Sequence, residues 1–402
     1  MSFLFENDAK EILKRNGIPV PAGCVSTSLA VTKRFGEEHG FPVVVKALVP
    51  SGKKKKLGGV IVAQNPEEAG SATAKLIGMR IGHFPTDSVY VEEFFDTEKE
   101  YFFSLFIDNL LKVPSVLVSA KGGIDIEGMV KSEQASLIRL DINPLKGLRM
   151  HEAVQIGTDI GLKEKMLREF SSLVVRLYRI FRDHDMKLLE INPLSVSSKG
   201  NFCAVGALMN VDDDALSRHP EMSKIRRSDS DRFWRPLTDL EKRAIESDQS
   251  DPYRGTARYT ELEGGEIGFI GGGGGGSLML FDALKSRGLT PANYTELGGN
   301  PPEEKVYQLT KVVLSKPGIK GFFMGTPITN NTQVDILARG VTRALKDLSI
   351  DVCKFPVVIR TAGINNEEAT RIFEDCEISF LGSETTLPDA IQIMAEKMTR
   401  GK

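Results

Sequence analysis

The chain reads as an α/β protein whose C-terminal part is built on a parallel sheet. Short apolar runs alternate with helix-length segments from Glu266 onward, and every run ends in a small, polar, Gly-rich loop. One of these loops, Gly271 to Ser277, is six glycines and a serine. Alternating strand and helix signals require parallel pairing with crossover helices, and ligands of such sheets sit outside the strand C-ends.

The elements follow in order. Glu266-Ile-Gly-Phe-Ile270 passes through the glycines into the helix-like Leu278 to Leu284. Asn293 to Leu297 leads through Gly298-Gly299-Asn300-Pro301 to a helix over Glu303 to Leu314, and Ile319 to Met324 leads through a loop over Gly325 to Thr332 to a helix over Gln333 to Leu345. Phe355 to Arg360 runs through Thr361-Ala-Gly363 to Asn366 to Asp375, and Ile378 to Leu381 through Gly382 to Thr386 to Pro388 to Met398. The five loops therefore converge on one edge. Glycines let tight βα turns close, but six in a row exceed what one turn needs; they also leave bare N–H groups at a helix N-terminus where an anion docks. No GxxxxGK[ST] occurs, so this is not a P-loop, and a GxGxxG match inside a glycine run is unavoidable and weak.

With 402 residues, 41% of them hydrophobic, the chain is long enough for two or three domains with sizeable cores. Lys and Arg number 52 against 54 Asp and Glu, which gives no electrostatic case for nucleic acid. No apolar run reaches membrane-spanning length, and the N-terminus is acidic where a signal peptide is basic and then apolar, so a cytoplasmic protein without membrane contact is expected. Cys24, Cys203, Cys353 and Cys376 are widely spaced and read as reduced thiols; the five histidines form no metal-binding pair.

In the first half, Asn7 to Gly17 predicts a capped amphipathic helix and Ser28 to His39 a second one ending at Gly40. Phe41 to Lys46 is a Val-rich strand ending in a lysine, whose buried ammonium needs an anion: a phosphate, or a nearby carboxylate. Pro50 to Gly59 carries Lys53, Lys54, Lys55 and Lys56 between glycines, either a solvated hairpin tip or a lid on a polyphosphate. The strand Ser88 to Glu92 ends in a carboxylate, Phe94-Phe95-Asp96 turns, and Lys99 to Ile107 is a second strand with Glu100 near its start. One glutamate suits an adenine amino group or ribose hydroxyls and one suits orienting the lysine; the alternative is a pair of exposed turn carboxylates. A strand over Pro114 to Ala120, a Gly122-Gly123 turn leading to Ile126, and a long helix over Met166 to Phe181 follow.

In Lys187 to Leu194, Glu190 and Asn192 stand at i and i+2, so both face one side of a strand while Leu189 and Ile191 fill the other. Pro193 is expected to end that strand. An acid and an amide on one face suit a hard cation beside phosphates, or simply a solvent face.

Glu190-Ile-Asn-Pro-Leu194, Lys46 with its Gly/Lys loop, Gly122-Gly123 and the C-terminal glycine-rich repeat together resemble the β-type subunit of ADP-forming acyl-CoA synthetases. That family includes succinyl-CoA synthetase, malate-CoA ligase, citryl-CoA synthetase and the small subunit of ATP citrate lyases, and the resemblance runs from about residue 5 to residue 400. It implies an ATP-grasp domain over 1–243, a linker over 244–260 and a flavodoxin-like doubly wound parallel-sheet domain over 261–402 that handles the carboxylate. Lys46, Lys53, Lys54, Lys55, Glu92, Phe95 and Glu100 match nucleotide-binding positions, Asn192 a Mg²⁺ ligand, and Glu190 the carboxylate that steadies a phosphohistidine of the partner. The implied reaction passes phosphate from ATP to that histidine, then to a carboxylic acid, and CoA displaces it. The histidine and the CoA fold are expected on an α-type partner subunit.

Within the family, Gly325 to Thr332 is more similar to the Asn-x-Thr loop of ATP citrate lyases. Gly273, Gly274, Gly275, Asn330, Asn331, Thr332 and Arg360 are the implied substrate positions, with Arg360 holding an anion through a bidentate fork. Three departures stand out. The second Mg²⁺ aspartate of the family falls on Gly206 or, with a one-residue slip, on Val205, leaving Asp212 to Asp214 as the nearest acids; Lys53-Lys54-Lys55 replaces a Gly-Arg-Gly segment; and Gly272 replaces a substrate asparagine. An active subunit, a citrate-directed one, and a degenerate ATP-grasp subunit kept for assembly are the readings carried forward. The polar stretch Pro220 to Asp239, with Trp234, is a candidate partner-facing arm.

Overall fold

A computed structural model describes residues 2–52, 54–122, 137–223 and 235–400. Lys53, the turn after Gly122 and Trp234 lie outside the described residues. The chain divides into two compact units, Met1–Pro236 and Leu237–Lys402.

The first unit holds two main sheets. The smaller runs in the order Gly23–Ser26, Val89–Glu93, Val43–Ala47, Val60–Ala63, all antiparallel. One face, Val43, Val45, Ala47, Val89 and Val91, is fully buried against the helix Pro66–Leu76 through Ala69, Ala72 and Leu76. Period-two alternation therefore puts Lys46, Tyr90 and Glu92 together on the other face. The larger, seven-stranded sheet has the 11-residue strand Met186–Val196 inside it, between Lys99–Ile107 and Ala207–Val211. Leu189 and Ile191 pack with Phe103 and Leu105 under the helix Glu164–Asp183, whose Phe170, Leu173, Val174, Leu177 and Phe181 form one apolar stripe. Glu190 and Asn192 are half-buried on the opposite face.

Pro193 does not end its strand. The Asn192-Pro193 bond is cis and the strand resumes to Val196 after a register shift between Ile191 and Leu194. The irregularity is where Gly206 closes in: Asn192 N–H donates to the Gly206 carbonyl at 3.0 Å, and a Cβ on Gly206 would stand 2.1 Å from the Asn192 carbonyl oxygen. Gly206→Ala is accordingly expected to destabilise the first unit by about 1–3 kcal/mol, read by chemical denaturation, with no change in the second unit.

The second unit is a six-stranded sheet in the order Ala257–Glu261, Asn293–Leu297, Ile267–Gly272, Gly321–Gln333, Val357–Ile364, Ser379–Leu381. Only the first pair is antiparallel. Helices cover both faces: Phe322, Met324 and Ile359 meet Val306, Leu337 and Val341, while Phe269, Phe323 and Val358 meet Leu280, Leu284, Ile391 and Met394. After Ile267–Gly272 the chain goes to one neighbour and then to the other, so the topological switch falls at the C-end of the glycine strand.

Three expectations change here. The stretch 244–260 is not a linker: Asp239–Gln249 is a helix with a Thr238 and Glu241 capping box, and Ala257–Glu261 is an edge strand of the second sheet. The polar residues that suggested a linker are instead tied down, with the Lys305 ammonium bound to Asp248 at 3.1 Å and to the Asp251 and Arg254 carbonyls at 2.6 and 2.8 Å. Gly325 to Thr332 is not a plain loop either, since the strand Gly321–Gln333 continues through it with register shifts around Ile328. Finally, the helix after the glycines begins at Gly274, not Leu278, so three glycines belong to its first turn.

Candidate active site

Lys46 lies at the end of its strand with 6% exposure, and Glu92 is its diagonal neighbour on the same sheet face. Its ammonium is 2.7 Å from Glu92 Oε1 and 2.7 Å from Glu6 Oε1, and it donates to the Val205 carbonyl at 2.8 Å. Lys10, one helical turn after Glu6, is 3.1 Å from Glu6 Oε1 and closer still to Glu92. Lys54 reaches in from the lysine loop to Glu6 Oε2, while Lys55 and Lys56 are exposed. Three ammoniums thus share two carboxylates away from water, and Lys10 also stands 5.3 Å from the Tyr90 ring centroid, in cation–π range.

Burial would raise the Glu6 carboxyl, but Lys46, Lys54 and Lys10 hold it well below the usual carboxylate range. Burial opposes the charge on Lys46, and the two carboxylates overcome it, so its value rises. For Lys10, burial and the Lys46 charge prevail and its value falls. The buried charges compensate one another, so removing any one of them leaves the others unbalanced. Burial pushes the nearby Cys203 thiol up to about 12, so it is no nucleophile.

The Lys46–Val205 bond joins this cluster to the strand of Glu190 and Asn192. Val205 N–H in turn donates to the Pro193 carbonyl at 3.2 Å, so Lys46 and Asn192 are neighbours through one backbone turn. Phe95 lines a separate cleft of about 710 Å³ with Pro19, Val20, Pro21, Phe94 and Arg176. Glu92 points into the ion cluster, where it orients Lys46, and Glu100 is half-buried, its carbonyl accepting from Gly122 N–H at 2.9 Å.

A divalent cation does not fit the donors present. Gly206 cannot carry a side chain, and Val205 offers a carbonyl already bound to an ammonium. Asp212 sits beside Asp185 at the far end of the strand pair, 2.9 Å from Lys187, so it does not reach Asn192. Among the described residues no group of three His, Cys, Asp or Glu side chains is arranged to hold a metal ion.

In the second unit, Gly273, Gly274 and Gly275 are exposed at the switch point. Gly273 has φ +70°, and a side chain on Gly273 or Gly275 would meet nothing within 4 Å, so the helix N-terminus is open. Gly272 is different: a Cβ there would press to 2.6 Å on Thr326, which explains why no asparagine stands at that position. Thr332 Oγ1 accepts from Asn300 N–H at 3.1 Å, which brings the second and third loops together, and Asn330 and Asn331 are exposed beside them. Arg360 is 5% exposed and donates to the Thr326 and Thr385 carbonyls at 2.7 and 2.9 Å. These two bonds use its Nε–H and one Nη1–H and hold the guanidinium in place, with the other N–H groups of the five-donor fork not engaged by them.

Glu6 and Lys10 carry little signal in the sequence. Their signal is an acid and a lysine at i and i+4 in a helix that is otherwise amphipathic, a spacing that reads as a surface pair until the sheet covers it.

These features define a two-unit protein, a nucleotide-fold unit with a buried lysine cluster and a doubly wound unit with an open glycine-lined helix end. The ATP-grasp domain family matches residues 3–196, and the ATP citrate lyase citrate-binding family matches residues 237–394. The β subunit of an ADP-forming succinate–CoA ligase from Ignicoccus hospitalis is 34% identical over 380 residues, 94% of this chain and 96% of that one. The β subunit of a GDP-forming succinate–CoA ligase from Thermus thermophilus is 36% identical over 371 residues, 92% of this chain and 93% of that one. A solved ATP citrate lyase from Methanothrix soehngenii, in complex with citrate and coenzyme A, shares the fold with a TM-score of 0.75 at 20% identity, covering 98% of this chain and 99% of that one. The chain belongs to the β-subunit family of the ADP-forming succinate–CoA ligases.

Proposed function

We propose that this chain is the nucleotide- and acid-binding subunit of an ADP-forming carboxylate–CoA ligase. The observation that carries the reading is the Lys46 ammonium, buried yet charged, one backbone turn from the face that bears Asn192 and Glu190. In this reading Lys46, Lys54 and Lys55 bind the ATP phosphates and the cleft at Phe95 takes the base. Attack by the imidazole nitrogen of a partner histidine on the γ-phosphorus breaks the bond to the β-phosphate oxygen, and ADP leaves. Glu190 orients the phosphorylated imidazole. At the second unit a carboxylate oxygen of the acid takes the phosphoryl group, with its other anionic groups on the bare amides of Gly273 to Gly275 and the side chains of Asn330, Asn331 and Thr332. CoA thiolate then attacks the acyl carbonyl and phosphate leaves. The partner is an α-type subunit supplying the histidine and the CoA site, and the complex is cytoplasmic.

The acid is a di- or tricarboxylate. The citrate-binding match over residues 237–394 favours citrate as the second reading beside succinate. With the α-type subunit co-expressed, ADP release from ATP is expected to require both CoA and an acid, and a panel of succinate, malate and citrate identifies which; no ADP release with any of them contradicts the reading. Gly275→Ala separates folding from binding: the open space and helical φ predict a second unit more stable by about 0.5–1 kcal/mol, with a raised KM for the acid.

A further inference from the structure

We propose that this chain grips nucleotide phosphates with ammonium groups alone, without a divalent cation held by the protein. The proposal rests on the nucleotide-binding reading above and deepens it.

Two positions argue against a protein-bound cation. Gly206 is locked onto Asn192 by the 3.0 Å bond between their backbones, and the 2.1 Å approach leaves no room for a ligating side chain. The neighbouring Val205 carbonyl already accepts from Lys46 at 2.8 Å. A Mg²⁺ ion beside Asn192 would therefore share its shell with an ammonium, and the carboxylate on that strand face, Glu190, is the group assigned above to the partner's phosphohistidine.

The same surroundings supply the positive charge in another form. Lys10, Lys46 and Lys54 outnumber Glu6 and Glu92 by one charge, and exposed Lys55 follows on the same loop. Lysine is a point-charge binder of phosphate, and its attraction strengthens where water is excluded. Lys54 is the partner placed for this exchange: its side chain comes from the loop, keeps 12% exposure, and trading Glu6 for a phosphate oxygen leaves the Lys46 pairs closed. Lys46, fixed on Glu6, Glu92 and Val205, supplies a fixed positive edge.

Calorimetric titration of the full chain with ADP, in excess EDTA and in excess Mg²⁺, tests this. The two dissociation constants are expected to agree within about threefold, and Lys54→Ala to weaken ADP by about tenfold or more in both buffers, with Lys54→Arg binding as the parent does. Binding seen only with Mg²⁺, Mg²⁺ tightening ADP by about tenfold or more, or an unaffected Lys54→Ala overturns the proposal and leaves the nucleotide reading standing. No ADP binding in either buffer overturns both.

Discussion

Lys46→Met is expected to abolish phosphoryl transfer from ATP to the partner subunit, lowering the rate by about 10²–10³-fold while ADP binding weakens far less. The asymmetry follows from the geometry. Lys54 and Lys55 remain to attract phosphate, whereas the ammonium anchored on Val205 beside the Asn192 strand is gone. The methionine is close to isosteric with the lysine stem, so the sheet face stays packed, but Glu6 and Glu92 then rely on Lys10 and Lys54 alone. A rapid-quench measurement with γ-labelled ATP and the co-purified partner checks this. An equal loss of binding and transfer would show that Lys46 acts as one charge among several.

Glu6→Gln is expected to produce the largest stability change in the molecule. Glu6 is 4% exposed and touches three ammoniums, so its loss leaves Lys10 and Lys46 sharing Glu92 out of water. Removing one member of a buried ion set costs about 3–5 kcal/mol, which for a unit of this size lowers its Tm by about 6–20 °C. The pH dependence has a definite sign. The folded Glu6 carboxyl titrates below the ordinary value of 4.5, so its contribution is complete above that pH and is lost as pH falls toward the folded value. The parent's first unit therefore loses Tm on acidification below about pH 4.5 more steeply than Glu6→Gln does, as calorimetric scans across that range would show. Parallel acid limbs would mean the carboxylate is not held by the lysines.

Much of the second unit is legible in the sequence because each strand is a short apolar run closed by glycine. Asn293–Leu297 and Glu303–Leu314 match the pattern to the residue. What escapes the pattern is Ala257–Glu261, whose alternation of Ala257 and Tyr259 with polar residues is that of an edge strand and is hidden in a charged stretch. The glycine helix escapes for a related reason. Propensity places a helix start after glycine, but the parallel sheet fixes the backbone, and the helix runs back to Gly274. In the first unit, Lys46 is legible as a buried lysine that needs an anion. The sequence names the two possible anions, phosphate or carboxylate, and the fold supplies the carboxylates from a helix and a strand 40 and 46 positions away. Pairs across such separations leave no local signal. Arg360 shows the same limit, since only the fold brings the Thr326 and Thr385 carbonyls to it.

The central claim is that the lysine cluster and the Glu190 face act on one phosphoryl group handed to a second polypeptide. The most direct measurement incubates the co-expressed complex with γ-labelled ATP, then separates the subunits after denaturation at alkaline pH. Acid-labile label on the partner, absent with Lys46→Met and reduced with Glu190→Gln, is the predicted result. Label that never leaves ATP, or that reaches the partner equally well in both variants, would contradict it.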